Sequence, residues 1–94
     1  MKILKPLMPK YILRLIYGKF IGTLINNKKE GNGKYIYNNG HKYEGEYKNN
    51  LRDGRGIYYY SDGTKYIGEW KADKKDGKGI VIYSNWDRYE GDFR

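Results

Sequence analysis

Glycine recurs along this chain at a fixed interval. Gly22, Gly45, Gly68 and Gly91 stand 23 residues apart, and the same interval separates Gly31, Gly54 and Gly77, then Gly33, Gly56 and Gly79, then Gly40 and Gly63. Twelve of the thirteen glycines fall into this register, with Gly18 outside it. A period between about 20 and 50 residues marks a repeat array, whose units bury their apolar faces only against their neighbours.

Rings keep the same period. Phe20, Tyr43, Tyr66 and Tyr89 lie two residues before the first glycine series, and Leu24, Tyr47, Trp70 and Phe93 lie two after it. Tyr35, Tyr58 and Val81 follow the second series, and Tyr37, Tyr60 and Tyr83 come two residues later. Spacing by two is the strand period. Seven short strands are expected, over 20–24, 33–37, 43–47, 56–60, 66–70, 79–83 and 89–93. The stretches NNKKEG, NNLRDG and ADKKDG read as turn-rich links, while NNGH and SDGT carry the Asn-Gly and Asp-Gly signals of hairpin turns.

Glycine inside a strand costs backbone entropy and offers nothing to pack. The pattern supplies a compensation. A tyrosine beside a glycine on the next strand can lie flat across the bare backbone, as when an aromatic rescues a strand glycine. The expected fold is all-β: an elongated, twisted, single-layer antiparallel sheet of 23-residue hairpins.

Composition narrows the function. The chain has 94 residues, no cysteine and sixteen aromatic residues, twelve of them tyrosine. Absence of cysteine removes disulfides, thiolate metal sites and cysteine nucleophiles, and fits a cytoplasmic setting. Net charge is +8, and residues 1–19 hold Lys2, Lys5, Lys10, Arg14 and Lys19 with no acid. Lys5, Pro6, Pro9, Lys10 and Arg14 break that segment's apolar residues into runs too short for a signal peptide or a membrane span. Residues 10–17 read as an edge strand aligned with 33–40, or as a short helix between Pro9 and Gly18, suited to an anionic membrane surface.

YEGEYKNNLRDGRGIYYYSDGTK (43–65), YIGEWKADKKDGKGIVIYSNWDR (66–88) and YEGDF resemble the MORN repeat, named from membrane occupation and recognition nexus. FIGTLINNKKEGNGKYIYNNGHK (20–42) is a degenerate unit, with Phe, Ile and Thr where Tyr, Glu and Glu are usual. The division is then 1–19 as a basic apolar segment, 20–42, 43–65 and 66–88 as repeats, and 89–94 as a partial repeat or cap. The repeat framework comprises Tyr43, Gly45, Tyr47, Gly54, Gly56, Tyr58, Tyr66, Gly68, Trp70, Gly77, Gly79, Tyr89, Gly91 and Phe93. Asn50 and Asp73 stand near where a turn glycine is common, and Trp86 occupies the Gly40/Gly63 position, where it should strain the turn or change its type. The resemblance implies a scaffold, a dimerisation or partner-docking surface, or a membrane-association module, placed in the cytoplasm or peripherally at membrane or cytoskeleton.

No nucleophile–base constellation is visible, so neither enzyme activity, a cofactor nor a small-molecule substrate is expected. Glu44, Glu46, Glu69, Glu90 and Asp92 read as cross-strand partners of basic residues rather than acid–base or metal groups. His41, the sole histidine, reads as a solvated turn residue. GNGK, DGRG and DGKG lack the Lys-Ser/Thr and helix of a P-loop. Lys34, Arg55 and Lys78 alternate with those glycines as a basic row, read as solvated, with phosphoinositide headgroups the alternative. Nucleic acid is rejected: the rings are committed to glycine slots and acids alternate through the array.

Ile36, Ile57, Tyr59, Ile80 and Ile82 alternate with the slot-filling rings and must face the other way. A single layer exposes them, and a contiguous exposed apolar patch marks an interface. Three covers are possible: residues 1–19 folding back, a second copy, or another protein. The leading reading is a non-enzymatic scaffold that binds a protein partner or itself. The alternative is a peripheral module held to anionic phospholipid by Lys2, Lys5, Lys10, Arg14, Lys19 and the basic row. A third reading is a regulatory fragment of a larger enzyme, such as a phosphoinositide kinase or lysine methyltransferase.

Overall fold

The computed structural model describes residues 10–15 and 17–94, which form one open antiparallel sheet of eight strands in sequence order. They are β1 (Lys10–Leu15), β2 (Gly18–Ile25), β3 (Lys28–Tyr37), β4 (Lys42–Lys48), β5 (Leu51–Tyr59), β6 (Lys65–Lys71), β7 (Lys74–Ile82) and β8 (Arg88–Phe93). Among the described residues there is no helix. The body is elongated, 54 × 28 × 22 Å. Lys2 and Lys5, and any fold-back of residues 1–9, lie outside the described residues.

Register explains the glycine period. Gly22, Gly33, Gly45, Gly56, Gly68, Gly79 and Gly91 are direct partners in turn, so an unbroken row of bare backbone crosses β2 to β8. Rings lie in this trough. Phe20 covers Gly22 and Gly33, Tyr43 covers Gly45 and Gly56, and Tyr66 covers Gly68 and Gly79. A β-carbon on Gly79 would stand 2.5 Å from Tyr66 Cε1, inside contact distance. The Tyr43 and Tyr66 hydroxyls each donate to a carbonyl of their own strand, Glu46 O and Glu69 O, at 2.8 Å.

These rings and their neighbours form the core. Phe20, Tyr43 and Tyr66 are fully buried, and Tyr35, Tyr47 and Trp70 nearly so. Edge-to-face contacts run without a break from Phe20 through Tyr47, Tyr43, Trp70, Tyr66 and Phe93 to Tyr89, with centroids 4.9–5.5 Å apart. Each such pair adds about 0.5–1.5 kcal/mol beyond its area burial. At about 25 cal/mol per Å², a buried ring of roughly 150–200 Å² contributes about 4–5 kcal/mol. Each glycine costs only about 0.5–1 kcal/mol. The rings win.

The structure lengthens all seven expected strands, β3, β5 and β7 the most, and shortens the links. The turns after β2, β4 and β6 contain two residues each, Asn26-Asn27, Asn49-Asn50 and Ala72-Asp73, all at positive φ as a type I′ hairpin requires. Strands therefore resume at Lys28, Leu51 and Lys74, not at 33, 56 and 79. Asn50 and Asp73 thus serve without a glycine, since Asn and Asp tolerate this conformation best among side-chain-bearing residues. They also latch one hairpin to the one before. Asn50 Oδ1 accepts from Lys29 N–H and Asp73 Oδ1 from Arg52 N–H, each at 2.8 Å. Gly31, Gly54 and Gly77, also at positive φ, absorb the register shift further along the same hairpins.

The Asn-Gly and Asp-Gly turns are three-residue hairpin loops. Gly40 and Gly63 adopt φ 91° and 94°, and their N–H groups donate to Tyr37 O and Tyr60 O. Trp86 keeps this turn: φ is 73°, and its N–H donates to Tyr83 O at 2.9 Å. The expected alternatives resolve to strain without a change of type. The ring is 83% exposed, so no packing offsets the strain.

An eighth strand, β1, is the edge strand foreseen over residues 10–17, but its register is slipped by one from the alignment with 33–40. Tyr11 opposes Gly22, and Lys10 opposes Thr23. A one-residue slip exchanges the faces of a strand. In repeat register Arg14 would point among the rings; in the observed register Leu13 and Leu15 pack there instead. Hydrophobic pattern overrides repeat position.

Three substitutions test the slot and the turns by chemical denaturation. Gly79→Ala forces Tyr66 out of its bed and is expected to cost about 3 kcal/mol, as overpacking does. Gly31→Ala, where nothing lies within 4 Å of the new methyl group, should cost only the backbone strain, about 1 kcal/mol. Trp86→Gly should stabilise by about 1 kcal/mol.

Candidate functional site

Residues between the ring positions point to the opposite face, and the described chain lays nothing over it. Cross-strand pairing sorts them into rows. One runs Ile12, Ile21, Lys34, Glu44, Ile57, Ile67, Ile80, Glu90. The next runs Arg14, Lys19, Ile36, Lys42, Tyr59, Lys65, Ile82, Arg88. All five expected interface residues therefore share this face and are half-buried. They are not one uniform strip. Ile57 and Ile80 flank Ile67 on three adjacent strands, whereas Ile36, Tyr59 and Ile82 alternate with cations.

Ile67 is the residue that sequence reasoning missed. It fills the ring-x-Gly slot that holds Glu44 and Glu90 in other units, and that departure was the available signal. With Tyr59 and Ile82 alongside, Ile57, Ile67 and Ile80 form a contiguous apolar patch around Lys65. Lys65 has no ion pair among the described residues.

The expected basic row does not form. Lys34 stands in the first row, paired with Glu44 at 3.4 Å, while Arg55 and Lys78 lie in a third row opposite Glu69 and Asp92. Lys78 meets Asp92 at 3.5 Å. Acids thus interrupt this set, because the two glycine-flanked positions differ in register. The row without acids is Arg14, Lys19, Lys42, Lys65 and Arg88, whose last four members recur every 23 residues. Arg14 and Lys19 were among the expected lipid contacts; Lys42, Lys65 and Arg88 were not. Lys42 Nζ lies 4.4 Å from the Tyr59 ring centroid, a cation–π pair within this row.

The acids divide by task. Glu44 bridges Lys34 and Lys42, at 3.4 and 3.7 Å, and Glu90 meets Arg88 at 3.4 Å. Glu46 Oε2 and Glu69 Oε2 instead accept the backbone N–H of Arg55 at 2.6 Å and of Lys78 at 2.8 Å, beside the positive-φ Gly54 and Gly77. In the degenerate unit Thr23 replaces this acid, and Gly31 has open space beside it. His41 is half-buried rather than solvated: its ring meets Tyr58 and Tyr60 edge-on, and Nδ1 accepts from Ser61 N–H at 2.9 Å.

Three cations also enter the ring face, unforeseen. Lys29, Arg52 and Lys75, again 23 apart, lie over aromatic rings. Arg52 is the best held: its guanidinium stands 4.6 Å from the Trp70 centroid and bonds Asp73 through Nε and through the backbone carbonyl.

Burial governs the ionisation of the core phenols. It pushes Tyr37 up to about 12, partly opposed by Arg52, and drives Tyr43 and Tyr47 higher still. A phenol with a raised folded pKa contributes stability that is fully present below its unfolded pKa of about 10 and lost as pH rises through the folded value. Stability should therefore hold to about pH 10 and fall steeply by about pH 12. Phenolate absorbance should show these tyrosines ionising together with unfolding; independent ionisation in a folded protein would contradict the burial described.

Among the described residues no helix is long and apolar enough to cross a membrane. No curated protein matches the chain. The model of the MORN repeat matches residues 20–42, 43–65 and 66–88, the three units whose glycines build the trough. On that match, over more than half of its length, the chain belongs to the MORN repeat family.

Proposed function

We propose that the chain is a non-catalytic docking module whose face opposite the glycine trough receives a protein, either a partner or a second copy. The Ile57–Ile67–Ile80 patch carries this reading: three isoleucines on adjacent strands, widened by Tyr59 and Ile82, stand on a face over which the described residues lay nothing. Contiguous apolar surface of this kind marks an interface. Membership in a repeat family commonly engaged in protein or membrane interactions supports the same reading.

The acid-free row supports a second reading, contact with an anionic membrane. Its cations alternate with Ile36, Tyr59 and Ile82, and a cation near an anionic bilayer is worth about 1 kcal/mol. Twist limits the sum. Adjacent strands rotate by about 20–25°, so cations two strands apart differ by about 45° and only a few can meet one plane. The apolar patch, spanning three strands, suffers less.

Size-exclusion with light scattering over a concentration series tests the first reading. The chain should dimerise reversibly, and Ile67→Asp should return it to monomer without loss of fold. A strict monomer would contradict self-association. Vesicle sedimentation over a salt series tests the second: binding should weaken steeply with salt and drop again in Lys42→Glu/Lys65→Glu. Absence of binding to phosphoinositide vesicles at low salt would reject it.

A further inference from the structure

The ring face contains a cleft of about 510 Å³ beside the second and third type I′ turns, bordered by Lys29, Tyr37, Tyr47, Asn50, Arg52 and Asp73, among others. Two of its groups lack what their equivalents one repeat later possess. Arg52 has the carboxylate of Asp73, at 3.1 Å from Nε. Lys29 occupies the same place, 23 residues earlier, but the residue facing it is the neutral Asn50. No carboxylate among the described residues pairs with Lys29. Its ammonium lies 5.4 Å from the Tyr35 centroid and 5.6 Å from that of Phe20. Burial pushes its pKa down, with Asp73 opposing from a distance.

The second deficit is a hydroxyl. Trp70 donates through Nε1 to Gly56 O at 3.3 Å. Tyr47, at the equivalent position, is 5% exposed, and its hydroxyl is buried with no hydrogen-bond partner among the described residues. A buried donor left without an acceptor costs about 1–3 kcal/mol. Both deficits have the same sign. Each group lacks an acceptor, and one of them lacks a negative charge.

We propose that this cleft binds an anionic oxygen group, a carboxylate or a phosphate, with Lys29 as its counter-ion and the Tyr47 hydroxyl as a donor. The rings of Tyr35 and Tyr37, stacked with centroids 4.4 Å apart, border the cleft. Asp73 also lines the cleft, where Arg52 holds it, and disfavours a second negative charge beside it. The site is on the face opposite the proposed docking patch and does not depend on it.

The test is a heteronuclear NMR titration of the whole chain with two probes, inorganic phosphate and an acetylated, amidated glutamate. At least one probe should produce saturable shifts at Lys29, Tyr47 and Asn50, together with a rise in the Lys29 ammonium pKa. The probe that saturates first identifies the source of the anion. Lys29→Met, which keeps the apolar stem, should weaken binding at least tenfold, and Tyr47→Phe several-fold with the fold intact. Asn50→Asp is the sharpest variant. It places in the first latch the acid that Asp73 supplies in the second, at nearly the same φ (71° against 70°), and should abolish binding by filling the site from within. Shifts that stay linear with both probes, or that persist unchanged in Asn50→Asp, would overturn the proposal.

Discussion

An aromatic ring lying flat on glycine backbone is the contact that the rest of this structure depends on. A sheet ordinarily needs a second layer to bury its apolar face. Here the row from Gly22 to Gly91 lowers the middle of the sheet by the height of a side chain, and the rings fold down into the gap. The second layer is made of the first layer's own side chains. Edge-to-face contacts then join one slot to the next, so that each ring is gripped by backbone beneath and by rings on either side.

That arrangement separates stability from recognition. The core rings, the glycines and the inter-hairpin latches act on one face or in the turns. The alternate positions project to the other face, where Ile21, Glu44, Ile67 and Glu90 occupy one repeat position with different chemistry. Substitution there leaves the trough untouched. A binding surface can thus change along the array while the fold does not, as expected when function is carried by sites placed on a repeated scaffold.

The period, the strand faces and the single layer were legible because glycine and aromatic positions are set by direct contact. Tyr43 and Gly56 could be paired from spacing alone. Three features were hidden because they depend on which residue stands opposite, which a linear pattern does not display. The type I′ turns lack glycine, so Asn49-Asn50 and Ala72-Asp73 looked like the start of longer links. The edge strand β1 slipped by one residue to keep Arg14 out of the core. Lys34 resembled Arg55 and Lys78 in its glycine neighbours, yet Gly31 and Gly33 place it two residues further along the strand, opposite Glu44. For the same reason the acid-free row became visible only once Lys42 was seen beside Tyr59.

Ring currents offer the most direct measure of the central contact. A glycine α-proton beneath an aromatic face resonates well upfield of its unstructured position. The α-protons of Gly33, Gly56 and Gly79, under Phe20, Tyr43 and Tyr66, should all show this displacement, while those of Gly31 and Gly63, with no ring above them, should not. Unshifted α-protons at Gly56 and Gly79 in the folded protein would mean that the rings do not lie on the backbone, and the account of a self-covered single layer would fail.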